Sequence, residues 1–159
     1  MNENSMPCGY VYFTAGIAPV KIKSNKEAAY PLDITIPGGF IIDKVVLRVL
    51  NPVLGKKVSV GTKDNNSYLA KDVDVSSKGI VIPGIVRDKH GNIIGMTLGQ
   101  GLCNVVYDDT NQKKIIECYP KGCIDIAKER LYVKIPENCG IDQAHGGLNL
   151  QVFVYGYTL

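Results

Sequence analysis

The sequence predicts an all-β protein, an antiparallel β-sandwich of jelly-roll-like type with little or no helix. Short apolar runs alternate with polar residues at period two, and they are rich in Val, Ile and Tyr. Turn signals separate these runs at intervals of roughly 8–12 residues, a spacing typical of sandwiches and barrels. Strand and helix patterns do not alternate along the chain, which disfavours a parallel α/β sheet.

Length and composition predict one folded domain. The chain has 159 residues, 45% of them hydrophobic and 21% charged, so it can build a core without a metal or a disulfide. Residues 1–9 precede the first apolar run, and we predict a flexible N-terminal arm there. Residues 10–159 are predicted to form a single β-sandwich domain.

The first part of the chain contains a series of predicted strands. They lie at residues 10–13, 20–22, 32–36, 40–50, 58–60, 73–75 and 80–82. The stretch 40–50 is the longest apolar run, and its β-branched residues favour a buried central strand over a helix. The turn residues Pro37-Gly38-Gly39 precede it and Asn51-Pro52 ends it.

The second part predicts two hairpins, a short helix and two final strands. Residues 85–94 place apolar pairs around a His-Gly-Asn turn, and residues 105–107 and 115–116 flank the polar loop DDTNQKK. A short helix or a turn is predicted near residues 124–130. The final strands are predicted at residues 131–135 and 148–158.

The last predicted strand has two apolar faces. One face is aliphatic and consists of Leu148, Leu150, Val152 and Val154. The other face is aromatic, so the strand is expected to be covered on both sides, either by the core of its own chain or by another subunit. We predict interface residues at Phe153, Tyr155 and Tyr157, with Tyr10 and Tyr12 of the first strand, because aromatic anchors concentrate contact energy.

Residues that could support catalysis are sparse. His90 and His145 are the only histidines, and a nucleophilic pair would have to combine Cys103 or Cys139 with His145. Any chain with five cysteines and two histidines offers such a combination. We predict that the protein is not an enzyme and has no catalytic residues.

One set of residues has a zinc interpretation: Cys118, Cys123, Cys139 and His145. Its spacing departs from the usual knuckle of two to four residues between cysteines. The five cysteines are an odd number and no export leader precedes them, so free thiols are the preferred interpretation.

Two further sets have a ligand interpretation. Calcium oxygens could come from Asp64, Asn65 and Asn66, or from Asp72 and Asp74, but neither set matches an EF-hand loop. A phosphate loop could be built on Gly95, Gly99 and Gly101, but the Lys-Ser/Thr that would reach phosphate is missing. A hairpin turn explains Asp64, Asn65 and Asn66, and turns or bulges explain the glycines, so we predict no metal and no cofactor.

The net charge and the hydropathy of the chain indicate whether nucleic acid or a membrane is a partner. The net charge of +3 with only three Arg residues gives no basis for nucleic-acid binding. Residues 1–7 do not resemble an export signal, and no apolar run approaches the roughly 18 residues of a membrane helix. We therefore expect no membrane partner and folding in a cytosol.

Residues 36–82 carry a recognisable succession of motifs. It consists of the turn Pro37-Gly38-Gly39, the strand 40–50, the VSVGT segment Val58–Thr62, the turn Asp64–Asn66, Tyr68-Leu69, and the DVDVSSKG segment Asp72–Gly79. This succession resembles a β-hairpin pattern of tailed-bacteriophage virion proteins, especially head-decoration, head-fibre and related tail proteins. The remainder of the chain, from Pro83 onward, resembles no family that we can name.

The resemblance implies a virion β-sandwich that assembles as a dimer or trimer on a capsid or tail. The expected function is structural, as a capsid-surface decoration or head-fibre subunit in contact with itself and with other virion proteins such as the major capsid protein. The expected location is the virion, assembled in the host bacterial cytoplasm. The alternative is a ligand-binding β-sandwich that recognises a glycan or a host receptor.

Overall fold

The computed structural model of the protein describes residues 9–23, 25–118, 122–123 and 128–158. The predicted arm therefore lies outside the described residues except for Gly9. The strands are β1 (Tyr10–Ile17), β2 (Ala28–Ile36), β3 (Ile41–Asn51), β4 (Lys57–Gly61), β5 (Ala70–Asp74), β6 (Gly79–Val81), β7 (Ile85–Arg87), β8 (Ile93–Met96), β9 (Cys103–Asp108), β10 (Lys113–Cys118), β11 (Gly122–Cys123), β12 (Glu129–Ile135) and β13 (Asn149–Tyr157). None of the helical structure in these ranges is long and apolar enough to span a membrane.

Two antiparallel sheets form the body of the protein. Sheet A has the order β1-β13-β3, and β6 and β11 both pair with the far edge of β3. Sheet B has the order β2-β12-β4-β5. Most strands of the body alternate between the two sheets along the chain, except that β4 and β5 are neighbours in sheet B, and the resulting order is that of a jelly roll. The structure thus confirms the predicted all-β antiparallel sandwich.

The core lies between the two sheets, because alternate residues of each strand point inward. Sheet A contributes Val45, Leu47, Val49, Leu150, Val152 and Val154, and sheet B contributes Leu32, Ile34, Val60, Leu131, Val133 and Ile135. All of these side chains are almost fully buried in one cluster. Each such burial stabilises the fold by roughly 1.5–3 kcal/mol relative to an exposed side chain.

The two predicted hairpins are confirmed, and both are inserted between β6 and β12. One consists of β7 and β8, with Arg87 opposite Ile93. The other consists of β9 and β10, with Asp108 opposite Lys113. Each forms a two-stranded sheet of its own, outside sheets A and B.

One local prediction is wrong, and a second is wrong at its described end. The expected strand at residues 20–22 is a 3₁₀ helix, Pro19–Lys21, because proline fixes φ and suits the first helical position. The predicted helix at residues 124–130 lies mostly outside the described residues. Its described end, Glu129 and Arg130, is strand: both residues pair with β2.

The two ends of the described chain meet at the edge of sheet A. Thr158 donates its backbone N–H to the carbonyl of Gly9 at 2.9 Å. The Thr158 hydroxyl accepts a hydrogen bond from the Gly9 N–H at 3.3 Å. These bonds continue the β1–β13 ladder beyond its last paired residues.

Gly156 allows β13 to pass close to the start of β3. A Cβ atom at this position would overlap the carbonyl oxygen of Ile41 and lie 2.7 Å from the Phe40 ring. Phe40 is almost fully buried, so it cannot move away without disturbing the core. A side chain is excluded here by packing.

We expect Gly156→Ala to lower the free energy of unfolding by about 1–3 kcal/mol, because it overpacks the core beside Phe40. Gly84→Ala is the matched control: its Cβ would meet only the Ile82 carbonyl oxygen at 3.8 Å. That variant should stay within about 0.5 kcal/mol of the parent. Urea denaturation followed by circular dichroism measures both, and equal losses would contradict the packing argument.

Candidate interaction surface

The outer faces of the two sheets differ in chemistry. The outer face of sheet B is polar and charged, with Asp33 and Thr35 on β2, Lys57 on β4, and Arg130 and Lys134 on β12. Lys134 forms an exposed ion pair with Glu27 at 3.2 Å. This face has the composition of a solvated surface.

The outer face of sheet A carries a cluster of aromatic side chains. We call it the aromatic face, defined by Tyr10, Tyr12, Phe153, Tyr155 and Tyr157. The register explains the cluster: Tyr10 lies opposite Tyr157, and Tyr12 lies opposite Tyr155. Cross-strand neighbours on one face of an antiparallel pair are close enough for rings to touch. The structure therefore brings all five predicted interface residues together on one surface.

The rings of the aromatic face contact one another rather than lying separately. The ring centroids of Tyr10 and Tyr157 are 4.9 Å apart in an edge-to-face arrangement. Tyr12 lies 5.4 Å from Tyr155 and 6.2 Å from Phe153. Such pairs add roughly 0.5–1.5 kcal/mol beyond the area that they bury. Their mutual contacts hold the rings in fixed positions as a preformed surface.

A β-bulge in β3 adds charges to this surface. The register between β13 and β3 shifts at Asp43, so Asp43 and Lys44 are both exposed although they are consecutive. The hydroxyl of Tyr10 donates to the Asp43 carboxylate at 2.9 Å. The Lys44 ammonium lies 5.0 Å from the centre of the Tyr155 ring, a cation–π contact.

The environment of Tyr10 changes its acidity. Desolvation of the hydroxyl is the largest cause, and the hydrogen bond to Asp43 and the charge of Asp43 act in the same direction. Together they raise the pKa of Tyr10 from 10.0 to about 12. The folded protein therefore favours the neutral phenol at this position.

The aromatic face is open to solvent over much of its area. Tyr12 is 57% exposed and Tyr10 is 47% exposed. Beyond β13, on the same side of sheet A, Ile80 of β6 lies opposite Arg48 of β3 and is 60% exposed. The core of the described residues lies on the other side of sheet A and does not include the aromatic face.

Sequence reasoning missed Ile80, Asp43 and Lys44 as parts of this surface. The sequence places Ile80 in a short strand, but it does not show which strand β6 pairs with, and that pairing decides which residues lie beside Ile80. The bulge that exposes both Asp43 and Lys44 leaves no signal in the alternation of a long apolar run. The ring cluster itself was visible, because β1 and β13 both carry aromatic residues at period two.

Two of the residues with a catalytic or zinc interpretation, Cys139 and His145, occupy ordinary structural positions. Cys139 is buried, its thiol donates to the Glu137 carbonyl at 3.5 Å, and burial raises its pKa. His145 is exposed, and its Nδ1 accepts the backbone N–H of Gly147 at 3.0 Å. The side chains of Cys118 and Cys123 lie outside the described part of the chain. In the described part, no three His, Cys, Asp or Glu side chains are grouped to hold a metal ion.

The residues with a calcium or phosphate interpretation have roles in turns and in packing. Asn65 accepts the backbone N–H of Ser67 with its side-chain oxygen at 3.1 Å, which closes an Asx turn. Gly99 and Gly101 lie against Tyr68, where a Cβ atom would overlap its backbone and ring. Both glycines are explained by this close approach.

Comparison with known proteins finds a structural neighbour. No protein-family model matches the sequence, and no curated protein matches it. The fold is similar to a chain in the solved structure of the capsid asymmetric unit of cyanophage Pam1, with a TM-score of 0.50 and 10% sequence identity. The match covers 96% of this chain and 86% of that chain. A likeness at this identity concerns the fold.

We expect Asp43→Asn to lower the pKa of Tyr10 towards its ordinary value, because the variant removes the negative charge beside the hydroxyl. The raised pKa in the folded state means that neutral Tyr10 stabilises the fold below pH 10. This contribution to the free energy of unfolding is lost as the pH rises towards about 12. In Asp43→Asn the contribution is smaller from the start, so less stability should be lost over this pH range.

Nuclear magnetic resonance of protein labelled at the tyrosine Cζ atom measures this titration. Asp33→Asn, on the outer face of sheet B, is the matched control and should leave the Tyr10 titration unchanged. An unchanged Tyr10 pKa in Asp43→Asn would show that the carboxylate has no part in it.

Proposed function

We propose that this protein is a structural component of a bacteriophage virion and that it acts through protein–protein assembly on its aromatic face. The observation that carries the proposal is an exposed, preformed aromatic surface on a jelly roll whose other sheet is polar outside. The largest apolar patch on a soluble protein is often a functional surface.

The structural neighbour supports the virion assignment. The likeness extends over nearly the whole of both chains, so it concerns the complete domain rather than a shared hairpin. The neighbour is part of a capsid asymmetric unit. The motifs of residues 36–82, which resemble virion proteins, span β3 to β6 and so belong to the body of the same jelly roll.

The size of the aromatic face supports an assembly role. Each of its five side chains offers roughly 150–250 Å² of surface, and with about two fifths of that exposed the face presents on the order of 400 Å². A standard interface buries about 800 Å² per partner. The aromatic face, continued by Ile80, is therefore large enough to form the centre of such an interface.

More finely, we propose a capsid-surface decoration or head-fibre subunit with no enzymatic activity and no cofactor. Its partners would be copies of itself, as a dimer or trimer, and other virion proteins such as the major capsid protein. The aromatic face would contact these proteins, and the charged face of sheet B would remain in water. The protein would be assembled into virions in the cytoplasm of the host bacterium.

We expect Tyr12→Asp to abolish self-association, because it places a charge in the aromatic face beside Phe153 and Tyr155. Tyr12 is mostly exposed, so the variant should fold. Tyr132→Asp is the matched control, since Tyr132 is a tyrosine at the opposite side of the sandwich, in β12.

Light scattering during size-exclusion chromatography measures the mass of each variant. The parent and Tyr132→Asp should have the mass of a dimer or trimer, and Tyr12→Asp that of a monomer. A parent that is a strict monomer, or that binds a glycan in an array, would favour the ligand-binding alternative instead.

The virion assignment is tested on particles. Mass spectrometry of density-purified particles of the virus that encodes this chain should find it at many copies per particle, in fixed proportion to the major capsid protein. Its absence from washed particles would contradict a structural role.

A further inference from the structure

A second candidate surface lies away from the aromatic face, between the two inserted hairpins. The turn of the β7–β8 hairpin and the loop of the β9–β10 hairpin line a cleft of about 540 Å³. Its cationic lining residues are Arg87, Lys113 and Lys114, and its apolar lining residues are Ile93 and Ile115. None of the described residues that line it is acidic.

The nearby carboxylates are engaged in their own turns. Asp88 accepts the backbone N–H groups of His90 at 2.8 Å and Asn92 at 2.9 Å. Asp108 accepts the Asn111 side-chain amide at 2.7 Å and the Thr110 N–H at 3.0 Å. These hydrogen bonds lower the pKa of both carboxyl groups. The bond from Asn92 has the largest effect on Asp88, and the bond from Asn111 has the largest effect on Asp108. Both carboxylates are thereby engaged mainly by groups of their own turns.

The cations differ in how much of their charge is available. Lys113 lies near enough to Asp108 to contribute to its lowered pKa, so part of its charge is already balanced. Arg87 donates through Nη1 to the Gly91 carbonyl at 2.9 Å, which fixes its guanidinium at the cleft and leaves its other N–H groups for a ligand. Lys114 lies opposite Tyr107 on the paired strand.

We propose that this cleft binds a carboxylate-bearing segment of a protein partner, an acidic peptide with apolar side chains between its acidic residues. Guanidinium and ammonium groups bind carboxylates through charge-assisted hydrogen bonds. Ile93 and Ile115 provide apolar surface for the intervening side chains. Apolar side chains beside the cations favour a peptide with both acidic and apolar residues over an acidic ligand without apolar groups.

The test uses the full chain and a fluorescein-labelled hexaglutamate peptide, with binding followed by fluorescence anisotropy. Arg87→Gln with Lys114→Gln should weaken binding about fivefold, as expected for the loss of two exposed ion pairs. Lys114→Gln alone, which keeps the bond from Arg87 to Gly91, should give a smaller loss in the same direction. Raising the salt concentration should weaken peptide binding by the parent and reduce the difference in affinity between the parent and the variants.

The matched control removes two exposed charges elsewhere, with Lys23→Gln and Lys78→Gln, and should change the affinity by less than about twofold. An equal loss in this control would overturn the proposal, because binding would then follow net charge alone. Tighter binding of a twelve-residue oligothymidylate or of a heparin hexasaccharide would also overturn it, by assigning the cleft to another class of polyanion. None of these outcomes depends on self-association through the aromatic face.

Discussion

The central constraint in this fold is the alternation of side chains along β13. Because this strand lies between β1 and β3, each of its residues is committed either to the core or to the outer surface. Val152 and Val154 fill the core, while Phe153 and Tyr155 lie outside. A slip of one residue would exchange the two sets and place aromatic rings in a core packed for valine. The core and the aromatic face are thus two consequences of one register.

Deviations from regular strand geometry give this surface its polar character. The bulge at Asp43 brings an acid and a base to the outer side of sheet A, beside rings that are otherwise apolar. Gly156 lies next to the same register shift, and because it has no side chain, the Phe40 ring can pack against its backbone. Small changes of backbone geometry at the end of β3 therefore decide both how the core closes and which charges border the rings.

Much of the fold could be predicted from the sequence, because most strands have an independent signal in their alternation. The strand 40–50, both hairpins and both faces of the last strand were predicted from such local patterns. The prediction at Val20 failed because two alternating residues beside Pro19 suit a 3₁₀ turn as well as a strand. The position of Ile80 beside Arg48, and of the two hairpin loops beside each other, could not be predicted, since pairing between distant segments is set by the three-dimensional fold.

The hydrogen bonds between Gly9 and Thr158 hold the start of β1 and the end of β13 next to each other. A covalent link between these neighbouring ends would need few residues, and the new ends could open in the exposed turn at His90 and Gly91. In such a permuted chain β1 and β13 become one continuous hairpin. The aromatic residues would then come from adjacent positions in sequence, and the surface would form early from local contacts instead of joining the two extremes of the chain.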